Sequence, residues 1–146
     1  LKNKLENLQT DAFTFRKIND PGECATLLTI LFKDAKTAKA FCEKAGTTTI
    51  SNSGWHVYSN MEQLLEKKTY TETGCPFTCE HNNEMIYEAG MLPNTDALLD
   101  RAVNISIGVV DKGLGSSVGI NILSSEEEIE LQAKTIGEFL ADCEEG

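Results

Sequence analysis

Residues 103–109 constrain the fold more tightly than any other stretch of the chain. Val103, Ile105, Ile107 and Val109 alternate with Asn104, Ser106 and Gly108. Period-two alternation is the mark of a half-buried strand, because successive side chains point to opposite faces of the sheet. The run Thr26-Leu27-Leu28-Thr29-Ile30-Leu31-Phe32 reads as a buried strand. Phe13-Thr14-Phe15-Arg16-Lys17-Ile18 alternates like another, and Asn19-Asp20-Pro21-Gly22 is a strong turn signal after it. Trp55-His56-Val57-Tyr58 reads as a further short strand.

Helical signals fall between and around these strands. Leu1, Leu5 and Leu8 recur at helical spacing. Asp34 is placed to cap a helix with Ala38, Phe41, Cys42 and Ala45 on one face, ended by Gly46. Asn60 is placed to cap a helix carrying Met61, Leu64 and Leu65, with Lys67 and Lys68 at its negative end. Thr95 is placed to cap a short helix with Leu98 and Leu99. Ser125 and Glu128 form a capping box for the last helix, whose inner stripe is Ile129, Ala133, Ile136, Leu140 and Cys143. Residues 69–94 form a long irregular stretch, and loops of that length are usually functional or lie against a partner. The expected architecture is α/β of the α+β kind: one domain over residues 1–146, with a small, largely antiparallel sheet packed by helices.

Charge excludes some functions. The 146 residues carry a net charge of −10, which repels phosphate backbones and anionic lipid, so neither nucleic acid nor a membrane is an expected partner. No apolar run approaches the roughly 20 residues of a membrane span. The five cysteines are odd in number and no secretory signal is visible, which fits free thiols in a cytoplasmic setting. A start on Leu1 in a helical pattern reads as a segment of a longer protein.

Few motifs carry chemistry. Cys75, Cys79 and His81, with His56 as a fourth group, have zinc-ligating side chains. Structural zinc sites normally use tighter paired knuckles such as C-x-x-C, so free cysteines are expected and no metal is assigned. No thiol-protease signature accompanies the cysteines. The G-x-G of Gly113-Leu114-Gly115 lacks a Walker lysine and a third glycine, and reads as a turn between strands. In a strand, His56 and Tyr58 share one face, opposite Trp55 and Val57. That face is either a solvated polar surface or a pair of hydrogen-bonding groups for a polyhydroxylated ligand.

Five blocks occur in a telling order: residues 16–22; residues 55–65; Gly74-Cys75-Pro76-Phe77-Thr78-Cys79-Glu80-His81; residues 90–102; and residues 105–116. Together they resemble the C-terminal part of the DegT-type aminotransferases, which act on keto-sugars. Within that family they are most similar to the subgroup that aminates an eight-carbon keto-deoxy sugar acid or nucleotide-linked sugars. The resemblance spans about Leu1 to Leu140, and departs from the family's pattern at Glu80 and Asn82.

The resemblance implies the small C-terminal domain of a type I fold that depends on pyridoxal phosphate. The lysine that carries the cofactor would lie in a large domain upstream, so no residue here is assigned to catalysis or to the cofactor. The parent enzyme would move an amino group from an amino acid donor to a keto-sugar, as a homodimer. This segment alone would be inactive. His56, Tyr58 and Asn60 would face the substrate cleft, with His81 and Met91 on the long loop as further contacts. Arg16 and Arg101 are potential partners of a donor carboxylate, although a surface ion pair is the preferred role for each. The alternative is a stand-alone acidic binding module without catalytic activity.

Overall fold

The structure is a computed structural model, which describes residues 1–22, 27–54, 57–80, 84–107, 120–121 and 123–143. Three strands, β1 (Phe13–Phe15), β2 (Leu27–Phe32) and β3 (Ala102–Ser106), form an antiparallel sheet in the order β1-β2-β3. Phe13 lies opposite Phe32, and Phe15 opposite Ile30. Ile30 lies opposite Val103, and Leu28 opposite Ile105. This register puts seven apolar side chains on one face, all of them buried, as cross-strand pairing of period-two sequences requires. On the other face Thr29 donates its hydroxyl hydrogen to the Asn104 amide oxygen at 2.7 Å.

The helices follow from their caps. Helix α1 (Lys2–Leu5) continues as a 3-10 turn over Glu6–Leu8. Helix α2 (Ala35–Ala45) starts where Asp34 accepts the Thr37 amide at 2.8 Å, and stops at Gly46 with φ +64. A positive φ costs glycine little because it has no Cβ. Helix α3 (Glu62–Leu65) is a single turn, and α4 (Pro93–Asp100) carries proline in its first turn. Helix α5 (Glu126–Asp142) opens on the expected reciprocal capping box between Ser125 and Glu128.

Phenylalanines tie the layers together. Phe13 packs on Phe32 at 6.3 Å, Phe32 on Phe41 of α2 at 5.2 Å, and Phe41 on Phe139 of α5 at 6.5 Å. Ala133, Ile136, Leu140 and Cys143 are buried along the inner stripe of α5, as their spacing predicts. Lys4 bridges Glu126 and Glu130, at 2.8 and 2.6 Å, and so fastens α1 to α5. Gly137 faces Leu8 so closely that a Cβ there would sit 3.0 Å from Leu8 Cδ1. Among the described residues no helix is long and apolar enough to cross a membrane.

Some expectations need correction. Tyr58 is not in a strand: Tyr58–Asn60 is a 3-10 turn, closed by Asn60 N donating to Val57 O at 2.9 Å and Met61 N to Tyr58 O at 3.1 Å. The chain here satisfies its backbone groups locally. Asn60 therefore caps nothing, and Met61 stands at the start of α3 without a side-chain cap. Thr95 lies inside α4, because Pro93, whose φ is preset for a helix, starts it earlier. The strand expected over residues 13–18 ends at Phe15, although Arg16 N still donates to Thr29 O at 2.9 Å. Trp55 and His56, and the end of the strand expected to reach Val109, lie outside the described residues.

Candidate functional site

The segment from Val57 to Leu92 holds most of the residues singled out from the sequence, and the Tyr58 hydroxyl organises it. That hydroxyl donates to Asp96 Oδ2 at 2.8 Å. It accepts the Gly90 amide at 3.0 Å and the Leu92 amide at 3.2 Å. A phenol has one hydrogen to donate and two lone pairs, so these three bonds use its whole capacity. The ring is half-buried, and Val57 beside it is buried. One side chain thus ties the 3-10 turn after Val57 to the chain on both sides of Met91 and to the first turn of α4.

Of the five predicted substrate contacts, the structure brings Tyr58 and Met91 into one neighbourhood, since the hydroxyl holds the amides flanking Met91. Met91 is half-buried, and its own N–H donates to Glu88 O at 3.2 Å. Asn60 is exposed on the 3-10 turn. His56 and His81 lie outside the described residues. The face that parity assigns to His56 and Tyr58 does not carry through to Tyr58, because the backbone turns there. Sequence reasoning missed Asp96, Gly90 and Leu92 as partners of Tyr58. No local pattern marks a contact across 38 residues.

A second cluster follows. Gly74, at φ +71, accepts at its carbonyl from Phe77 N at 3.0 Å and Thr78 N at 3.3 Å. Thr69 and Thr71 both donate their hydroxyl hydrogens to Cys75 O, each at 3.1 Å, and Thr78 donates to Thr73 O at 2.6 Å. This turn brings the sulfurs of Cys75 and Cys79 to 3.1 Å. The Phe77 ring stands edge-on to Tyr87 at 5.4 Å, and Lys67 Nζ sits 5.5 Å from the Tyr87 centroid. Among the described residues no three His, Cys, Asp or Glu side chains converge to hold a metal ion.

Lys68 and Arg101 find their partners within the chain. Lys68 pairs with Glu62 and, at 2.7 Å, with Glu66. The Glu62 and Glu66 carboxylates push the Lys68 amine up, and Lys68 in turn holds the Glu62 carboxyl below the usual range. All three are exposed, and such pairs contribute little stability. The Arg101 guanidinium donates to Phe32 O at 2.7 Å, at the end of the central strand β2.

Pyridoxal phosphate needs a lysine amine beside a cradle of N–H and cationic groups for its phosphate. Lys4, Lys44, Lys68 and Lys134 are each paired with carboxylates. A groove of about 250 Å³ between α2 and the end of α5 holds Lys33 and Lys36, but also Asp34 and Asp142.

No family model matches the chain, and comparison with curated proteins finds no match.

Proposed function

We propose that this chain is the small C-terminal domain of a DegT-type aminotransferase that moves an amino group from an amino acid to a keto-sugar. The observation that carries the reading is the ordered resemblance of five blocks along the sequence. Its blocks at residues 55–65 and 90–102 meet at the Tyr58 hydroxyl, which supports treating them as one functional unit. On this reading pyridoxal phosphate belongs to a separate large domain of the same protein, in a cytoplasmic homodimer. Residues of this chain orient the sugar and the donor and exclude water from the cleft. His56, His81, Asn60 and Met91 are the proposed contacts. Tyr58 acts by holding the loop that carries Met91, since its own hydrogen-bonding capacity is already used.

The test is the whole reading frame that contains this sequence. Expressed with pyridoxal phosphate, its product should bind the cofactor on a lysine upstream of Leu1. It should then convert an eight-carbon keto-deoxy sugar acid, or a nucleotide-linked keto-sugar, to its amine with an amino acid as donor. His56→Ala in that protein should slow turnover of the sugar roughly three- to tenfold, the worth of one hydrogen bond at about 0.5–1.5 kcal/mol. A frame without a cofactor-binding domain would sink the reading in favour of a stand-alone acidic binding module.

A further inference from the structure

We propose that Cys75 and Cys79 are a reversible dithiol–disulfide pair, a modification site on the long loop that low-molecular-weight disulfides oxidise. The inference is independent of the aminotransferase reading, because it rests on the geometry of the loop.

The sulfurs are 3.1 Å apart. A disulfide needs about 2.05 Å, so closure requires an approach of about 1 Å. Two thiolates on one tetrahedral zinc, at about 2.3 Å each, stand roughly 3.8 Å apart. The observed separation is shorter than zinc would hold it, and shortening further leads to a bond between the sulfurs. Bringing two cysteines together normally costs chain entropy. Here the turn is already fixed by the two bonds to Gly74 O, by the two threonine hydroxyls on Cys75 O and by Thr78 on Thr73 O. Gly74 is required for the turn, since a Cβ there would lie 2.7 Å from Thr78 Cγ2.

The other described cysteines are not placed for this chemistry. Cys42 and Cys143 are buried, whereas Cys75 is exposed and Cys79 half-buried. Cys75 is therefore the sulfur an external oxidant meets first. Its hydrogen bond with Cys75, and then partial desolvation, push the Cys79 thiol up.

The reaction is a pair of exchanges with a small disulfide such as oxidised glutathione. The Cys75 thiolate attacks one glutathione sulfur and expels the other glutathione as a thiolate, which takes up a proton. Cys79, freed of its bond to the Cys75 thiol, loses its proton and attacks Cys75 Sγ. The second glutathione leaves as a thiolate and is protonated in turn. Two electrons and two protons pass from the protein to the oxidant, one disulfide is consumed and one is formed. The link then fixes Phe77 between the two cysteines, and through its ring the contact with Tyr87.

The experiment is to incubate the reduced 146-residue chain with oxidised glutathione, quench with maleimide, and map the peptides by mass spectrometry. The expected product is a single link between Cys75 and Cys79, lighter by two hydrogens and reopened by dithiothreitol. Cys42 and Cys143 should stay reduced. Cys79→Ser should stop the reaction at a glutathione adduct on Cys75. In the oxidised chain the Phe77 and Thr78 amides should exchange more slowly than in the reduced chain. Stable glutathione adducts on both cysteines of the unmutated chain would overturn the proposal. Protection of both thiols by one equivalent of zinc would also overturn it, and so would a link from either cysteine to Cys24, Cys42 or Cys143. The unmutated chain decides the matter even if the serine variant folds poorly.

Discussion

The Tyr58 hydroxyl donates to the Asp96 carboxylate at 2.8 Å, and this bond anchors the 3-10 turn at Tyr58–Asn60 to the first turn of α4. The same oxygen holds the Gly90 and Leu92 amides. Tyr58→Phe removes one donor and one shared acceptor while keeping the ring. The two amides are exposed enough for water to replace the phenol, so the global cost should be small, about 1 kcal/mol. The local cost should be larger. Hydrogen exchange at Gly90 and Leu92 should accelerate, while Ile30 and Val103 in the sheet keep their protection. Unchanged exchange at both amides would show that Tyr58 does not hold this loop.

Asp34 caps α2 through its bonds from the Thr37 amide at 2.8 Å and the Thr37 hydroxyl at 2.9 Å. These two bonds, the backbone one foremost, hold its carboxyl below the ordinary value of 3.8. A carboxylate whose pKa falls on folding stabilises the fold above its unfolded pKa, and loses that contribution as pH falls through the folded one. Asp34→Ala should therefore lower the melting temperature at neutral pH. Its deficit should shrink as pH drops below 3.8. Asp34→Asn keeps a capping oxygen, so it should recover most of the loss at neutral pH without the acid dependence. Melting curves of the three proteins across acid pH check this.

What the sequence made legible is local. Asp34, Gly46 and the Ser125–Glu128 box announce helix ends because each satisfies backbone groups within four residues. Phe13, Phe15, Leu28, Ile30, Phe32, Val103 and Ile105 announce the sheet because burial on one face enforces period two. The turn at Tyr58 was not legible. Alternation in Trp55-His56-Val57-Tyr58 suits a strand, but a strand also needs a partner to pair with, and none of the described strand pairings includes Tyr58. The site shares this limit. Tyr58 drew attention as a phenol beside a histidine, yet its role comes from Gly90, Leu92 and Asp96, which only tertiary structure brings to it. Cys75 and Cys79 were conspicuous by spacing. Their approach depends on the threonine bonds around Gly74, which no motif encodes.

Phe41 is fully buried and lies between Phe32 and Phe139, joining the sheet to α5. Phe41→Ala should cost about 3–5 kcal/mol, through lost burial and the cavity left behind. Leu131 on the outer side of α5 is 63% exposed, and Leu131→Ala should change stability by no more than about 0.5 kcal/mol. Urea denaturation of both variants measures the contrast. Equal effects would mean that α5 packs through a different face.

Cys42 sits on the buried face of α2, and burial is the main force that pushes its thiol from 9.0 up to about 11, with Cys143 and Glu43 adding to the effect. A thiolate at this position would lose its hydration without gaining a cationic partner. The unfolded chain releases the Cys42 proton near pH 9.0, and the folded chain holds it until about pH 11. Stability from this group is therefore whole below pH 9.0 and is lost as pH rises towards 11, because the unfolded state then binds fewer protons. The melting temperature should fall across that window. Cys42→Ala removes the titrating thiol, so its melting temperature should fall less steeply there, even though the smaller side chain lowers the starting value. Cys143 is also held up by burial, and the double variant should flatten the curve further. If the single variant and the parent lose stability in parallel from pH 9.0 to 11, the alkaline transition belongs to other groups and Cys42 is not buried as the structure has it.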